Sequence, residues 1–168
     1  MKLYFGVDYP ADPDQVMRLM TDESFVAECE RELESTEHHL DVTRGDGRVV
    51  VRLQRHVPTD GIPAVFRSLV GPRIVVVEVR DWAADSHGDY RGTLVADADT
   101  KGRRARIEGR VQLLANDGGS HFQVDAEVKA SVPLVGKQVR RAIVDLAKES
   151  LHLESVVMKR RLQAELAE

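Results

Sequence analysis

Apolar and polar residues alternate along most of this chain, and the alternation breaks at turn residues. Lys2–Tyr9 sets Leu3, Phe5, Val7 and Tyr9 against Lys2, Tyr4, Gly6 and Asp8, the period of a half-buried strand. Pro10-Ala11-Asp12-Pro13 ends it. Asp12 is placed to cap a helix with Pro13 at its first position, and Val16, Leu19 and Met20 supply a helical stripe. A second short helix is predicted from about Glu23 to Leu33, with Phe25, Val26 and Cys29 on one side. Strand patterns follow at Ser35–Thr43, Arg48–Val57, Arg73–Trp82, Tyr90–Ala98, Arg103–Ala115 and Ser120–Ser131. Their separators are rich in Gly, Pro, Asp and Asn. Residues Ala64–Val70 read as a helical turn. Short turns between alternating segments imply an antiparallel meander. Arg44-Gly45-Asp46 spells an adhesion tripeptide, but a hairpin turn needs the same Gly and Asp, and we read it as one.

From Gly136 to Ala167 the pattern changes to one long helix, with no Pro and no Gly after Gly136. At ~1.5 Å per residue it is roughly 45 Å long. Its apolar face needs cover, and the strands are the only sizeable partner. Val135, Val139, Ala142, Leu146, Ser150, Leu153 and Val157 share one face, expected to meet the sheet, with Val139 and Ile143 seating the helix. Ala147, Leu151, Met158 and Leu162 form a second stripe roughly 120° away. It is expected to pack on the N-terminal helices or, alternatively, on another subunit. The predicted fold is α+β: a curved antiparallel sheet of about seven strands wrapped on a long C-terminal helix, two short helices after the first strand, one domain over residues 1–168.

The inward faces are unusual in their small residues. Phe122, Val124, Ala126, Val128 and Ala130 oppose His121, Gln123, Asp125, Glu127 and Lys129; Ala105, Ile107, Gly109, Val111 and Leu113 oppose a run rich in Arg. Gly92, Ala96, Ala105, Gly109, Ala126 and Ala130 leave either a sharply bent, closely approached sheet or a cavity under the helix. Some polar residues share the inward phase. His38 runs in step with Leu40 and Val42, Arg55 with Val51, Leu53 and Val57, Tyr90 with Gly92 and Leu94; Ser150 sits mid-stripe on the helix.

Composition narrows the function. At 42% hydrophobic and 31% charged, the chain reads as a soluble globular protein, and a net charge of −4 argues against a general nucleic-acid binder. Charge is segregated: Asp8–Glu34 carries a net of −7 and Lys101–Arg110 a net of +4. The single cysteine, Cys29, excludes an internal disulfide and fits a reducing compartment. Leu3–Val7 is too short for a signal peptide, and no apolar run approaches a membrane span, so a cytoplasmic protein without integral membrane association is expected. No phosphate-binding glycine loop, nucleophile elbow, Cys pair or His-Glu-x-x-His is present. His38 and His39 are adjacent on a strand and face opposite sides, so no metal site, cofactor or catalytic residue is assigned.

This order of elements resembles the helix-grip fold of the START-like (SRPBCC) superfamily, which includes polyketide cyclases and dehydratases, lipid-transfer domains and plant pollen-allergen proteins. The resemblance covers essentially the whole chain. Tyr9-Pro10-Ala11-Asp12-Pro13-Asp14-Gln15-Val16 and Val132-Pro133-Leu134-Val135-Gly136-Lys137 are also similar to a bacterial family of that superfamily with no assigned function. Neither stretch is a catalytic motif. The resemblance implies a deep apolar cavity between sheet and final helix.

The resulting expectation is binding of a hydrophobic or amphipathic small molecule, a lipid or polyketide-like compound. The candidate ligand-binding residues are Phe5, Val7, His38, Arg55, Tyr90, Gly92, Gly109, Phe122, Val124, Leu146 and Ser150. A cyclase- or dehydratase-type enzyme is the alternative, and needs His38, Arg55 and Tyr90 to converge. An interaction module forming a homodimer through the second helix stripe is a third reading.

Overall fold

In a computed structural model covering residues 1–168, seven strands form a single antiparallel sheet in the order β1-β7-β6-β5-β4-β3-β2. The elements along the chain are β1 (Lys2–Tyr9), α1 (Pro13–Met20), α2 (Glu23–Glu32), β2 (Glu37–Gly45), β3 (Arg48–Pro58), α3 (Ala64–Val70), β4 (Arg73–Ala84), β5 (Tyr90–Thr100), β6 (Arg103–Asn116), β7 (Gly119–Ala130) and α4 (Gly136–Leu166). This is the expected α+β helix-grip architecture. Only β1 departs from the meander: it pairs with β7, setting Phe5 opposite Val124 and Val7 opposite Phe122.

Local chemistry explains the junctions. The Asp12 carboxylate accepts a hydrogen bond from the Gln15 amide at 2.8 Å, and Pro13 opens α1. Asp46 and Gly47 both have positive φ, +52° and +72°, so Arg44-Gly45-Asp46 belongs to the β2–β3 hairpin turn. Two glycines allow close backbone approach within the sheet. A Cβ at Gly92 would collide with the Asp81 carbonyl, and one at Gly109 with the Asp125 carbonyl and Ala126. Both were candidate cavity positions; in the structure they lie against neighbouring backbone.

The core gathers Leu3 and Tyr9 of β1, Val16 and Phe25 of α1 and α2, Trp82, Leu113, Phe122 and Val124 of the sheet, and Met158 and Leu162 of α4. Phe122 meets Phe5 edge-on at 6.4 Å and Trp82 at 6.3 Å. α4 packs on β1, β7 and α2.

The face α4 buries corrects the sequence reading. Its centre is Val144, Leu151, Ser155, Met158 and Leu162, the second stripe and its neighbours, while Leu146 is 38% exposed. The expected sheet-facing stripe lies on the flank, with Ser150 and Val157 its inward members. In this rotation Leu151, Met158 and Leu162 are buried, Arg80 holds Glu154 inward, and Glu28 on α2 pairs with Arg160 and Arg161, polar contacts that a hydrophobicity pattern does not weigh. The second stripe is buried within the chain, as in the first of the two expectations for it.

Candidate functional site

The inward period-two positions of β4 are Ile74, Val76, Glu78, Arg80 and Trp82. Two charges therefore enter the core face of a central strand. The register sets Arg80 between Val51 and Leu94, and Glu78 between Leu53 and Ala96. On β3, Arg55 lies between His38 and Val76. Above them, α2 contributes Glu30 and α4 contributes Ser150 and Glu154.

These side chains form one buried network. The two terminal nitrogens of Arg80 each donate to Glu154 at 2.9 Å, a bidentate pair, and its Nε donates to Glu78 Oε1 at 2.7 Å. The Arg80 guanidinium also lies 5.7 Å from the Phe122 ring centre. Arg55 sits 3.6 Å from Glu78 and 3.4 Å from Glu30, and donates to the Ser150 hydroxyl at 3.3 Å. Three carboxylates thus face two guanidiniums. Glu30 is only 3% exposed, yet its Oε2 has no hydrogen-bond partner, and neither has Arg55 Nε. Unsatisfied buried groups are costly, and native proteins keep few; His56 Nδ1 and Ser120 Oγ are the others here.

Burial alone would push the Glu78 carboxyl up; the Arg80 and Arg55 guanidiniums outweigh it and hold it below the ordinary range. Burial likewise opposes the Arg80 charge, and Glu154 and Glu78 outweigh it and hold the guanidinium above its ordinary value. Burial, then the nearby Glu154 and Glu30 carboxylates, pushes the Cys29 thiol up, so it is not poised as a nucleophile.

The network borders a cavity of about 40 Å³. Met20, Phe25, Leu33, Leu40, Leu53 and Trp82 form its apolar walls, and Glu30, Arg55, Glu78, Arg80, Ser150 and Glu154 its polar side. It lies between the sheet, α2 and α4, and is small, with mostly apolar walls and a charged side. A site for a drug-sized ligand holds roughly 300–1,000 Å³.

Of the sequence candidates, only Arg55 and Ser150 line this cavity. Phe5, Val7, Phe122 and Val124 pack in or against the core near β1 and β7, where protein side chains fill the space under α4. His38 bonds Glu23 at 2.8 Å at the β2 edge, and the Tyr90 hydroxyl donates to Asp14 at 2.6 Å near the opposite end of the sheet. His38 is a cross-strand neighbour of Arg55, but Tyr90 is remote, so the three do not converge. Glu30, Glu78, Arg80 and Glu154 were missed. The signal for the β4 pair was in the sequence: Glu78 and Arg80 share the phase of Val76 and Trp82. Glu30, between Val26 and Leu33, and Glu154, between Leu151 and Met158, likewise interrupt the apolar faces of their helices.

A comparison with known families decides the membership: residues 5–162 match the family described as "Protein of unknown function (DUF2505)". The chain belongs to that family. No curated protein matches it in sequence. Among solved structures, this DUF2505 chain is similar to TTHA0849 from Thermus thermophilus, at 18% identity and a TM-score of 0.63 over 98% of this chain and 99% of that one. A START superfamily protein from Mycobacterium smegmatis matches at 15% identity and 0.53 over 97% of both chains. A fragment of the STAR-related lipid transfer protein from Xanthomonas axonopodis matches at 17% and 0.52, over 92% of this chain and 84% of that one. At these identities the likeness establishes the START-like fold.

Proposed function

We propose that this protein binds a small amphipathic molecule whose polar end lies among Arg55, Glu30 and Ser150. The observation that carries this reading is a set of buried charges bordering a cavity, with Glu30 Oε2 left without a partner and Arg55 Nε facing Glu30 Oε1 at 3.4 Å without a hydrogen bond. A hydroxyl accepts from Arg55 Nε and donates to Glu30 Oε2, meeting both needs without adding charge. A carboxylate end would add a fourth negative group to a network already one carboxylate in excess. The apolar part of the ligand then lies against Phe25, Leu33, Leu40 and Leu53. Entry requires α2 and the first half of α4 to yield, because the closed space is small. Ile143, Ala147 and Ser150 on that half are only partly buried. The START-like neighbours, one of which is a lipid-transfer protein, support a ligand-binding use of the fold. A cytoplasmic location with a reduced Cys29 belongs to the same reading.

Native mass spectrometry of the purified protein, then organic extraction of any retained compound, tests this. A retained or added medium-chain alcohol that stabilises the wild type but not Arg55→Met supports it. A protein that retains nothing and takes up no medium-chain alcohol, amine or acid overturns it.

A further inference from the structure

We propose that the end of the molecule carrying α3 and the start of α4 docks on an anionic lipid surface. The inference concerns a different region from the cavity and stands independently of what the cavity holds. The sheet register sets Pro58 opposite Arg73, Thr100 opposite Arg103 and Ala105 opposite Ala130. The β3–β4 connection, the β5–β6 hairpin and the β7–α4 connection therefore share one end. Lys101 Nζ donates to the Ser68 carbonyl at 3.5 Å and Arg103 to the Leu69 carbonyl at 3.4 Å, tying α3 to the hairpin. The Ser131 amide donates to the Arg104 carbonyl at 3.1 Å, tying in the start of α4.

This end combines free positive charge with protruding apolar side chains. Arg67, Lys101 and Arg103 donate only to main-chain carbonyls. Arg73, Lys137, Arg140 and Arg141 form no ion pair; Arg104 leans on Asp99, Asp97 beside it is paired with Arg106, and Asp60 lies in the β3–β4 connection. α4 begins with no acid in its first turn and no side-chain cap, and carries Lys137, Arg140 and Arg141 instead, against the helix dipole. Leu134 is fully exposed, Val65 is 68% exposed, and no residue of α3 is buried although Ala64, Val65, Phe66, Leu69 and Val70 are apolar. The rest of the molecule is acidic enough to give the chain its net −4, so the charge is polarised and orients this end toward a negative surface.

Two other occupants fit less well. Single-stranded nucleic acid is bound by several stacking aromatics beside the cations, and this end offers one aromatic ring, the half-buried Phe66, while its fully protruding groups, Leu134 and Val65, are aliphatic. A second copy docking head to tail would offer its acidic α1–α2 end, but that end is engaged within the chain: Glu28 and Glu32 hold Arg160, Glu28 holds Arg161, and Arg18 holds Glu165. An anionic bilayer takes cations and aliphatic side chains together.

Vesicle co-sedimentation of the full chain tests this, with phosphatidylcholine alone and with about a third phosphatidylglycerol. The wild type is expected to bind the anionic vesicles only and to be released by added salt. Lys101→Glu, Lys137→Glu and Arg141→Glu together should weaken partitioning by about a hundredfold or more, each lost cation counting for roughly fivefold. Leu134→Ser with Val65→Ser should weaken it by roughly tenfold and leave the salt dependence in place. Lys159→Glu, on the exposed side of α4 near its far end, should change little. Unchanged far-UV circular dichroism confirms folding of these surface variants. The proposal is overturned by equal binding to neutral vesicles, by binding to neither, by a triple-charge variant that binds as the wild type does, or by tighter binding to a single-stranded oligonucleotide than to vesicles.

Discussion

Replacing Arg80 with methionine keeps much of the side-chain volume and removes the charge on which two buried carboxylates depend. In the structure Glu154 has Arg80 as its ion-pair partner, through two bonds of 2.9 Å, while Glu78 keeps Arg55 at 3.6 Å. Arg80→Met therefore leaves one carboxylate orphaned in the core and a second weakly held. Breaking a buried pair in this way costs about 3–5 kcal/mol. At ~2–4 °C per kcal/mol for a chain of this size, Tm should fall by roughly 6–20 °C. The charge count gives a sharper test. Because carboxylates outnumber guanidiniums and Glu30 Oε2 is unpartnered, Glu30→Gln should be close to neutral, within about 1 kcal/mol. Adding Glu154→Gln to Arg80→Met should recover about 1–2 kcal/mol, since the orphaned charge is gone. Urea unfolding followed by fluorescence of the buried Trp82 and by far-UV circular dichroism measures all four proteins. An Arg80→Met loss under about 1 kcal/mol, or a Glu30→Gln loss as large as that of Arg80→Met, would refute the reasoning.

Acid should destabilise the protein in a defined way. The Glu78 carboxyl, held low by Arg80 and Arg55 against its burial, and the Glu28 carboxyl, held low by Arg161 and Arg160 against its own, both have folded values below the unfolded one. Their stabilisation is present above the unfolded carboxylate pKa of about 4.3 and is lost as pH falls through the folded values, so ΔG against pH should steepen below about 4.5 and flatten in Arg80→Met. Gly109→Ala should cost about 2–3 kcal/mol or abolish folding, because its Cβ meets backbone on β7; a variant of wild-type stability in urea would show that the strands can separate there. The helix face is tested by contrast: Leu151→Ala should cost about 2–4 kcal/mol and Leu146→Ala under about 1, and equal losses in thermal unfolding would contradict the observed rotation of α4.

Where a residue's role follows from its neighbours in sequence, the chain was readable. Alternation in β1, β6 and β7 fixed both their existence and their inward residues, because a strand's period of two admits no other phase once one face is apolar. Asp12-Pro13 and Asp46-Gly47 declared a helix start and a hairpin turn by local stereochemistry alone. The site was less readable. Arg55 and Ser150 stood out as polar residues in apolar phases. Glu154 and Glu30 also interrupt apolar helix faces, but a carboxylate on an amphipathic helix is ordinarily a solvent residue and only its distant partner shows that it is held inward. With that partner inward, α4 sits roughly a third of a turn from the rotation first expected, and the first stripe meets the flank rather than the core. A pairing across 74 residues leaves no trace in a window of a few turns.

The seam between β1 and β7 governs the order in which the chain takes shape. The Met1 amino group donates to the Val128 carbonyl at 3.1 Å, and the Val128 amide returns a bond to Met1 at 2.7 Å, contacts 127 residues apart. During synthesis β1 emerges first, while its partner emerges after every other strand. The hairpins from β2 to β7 can zip one after another as they appear, each closing a short loop. β1 waits through all of this with Leu3, Phe5, Val7 and Tyr9 uncovered, a short sticky β segment on a nascent chain. Completion of the sheet, and with it the floor on which α4 settles, therefore waits until β7 has emerged, and of the seven strands β1 spends the longest without its partner.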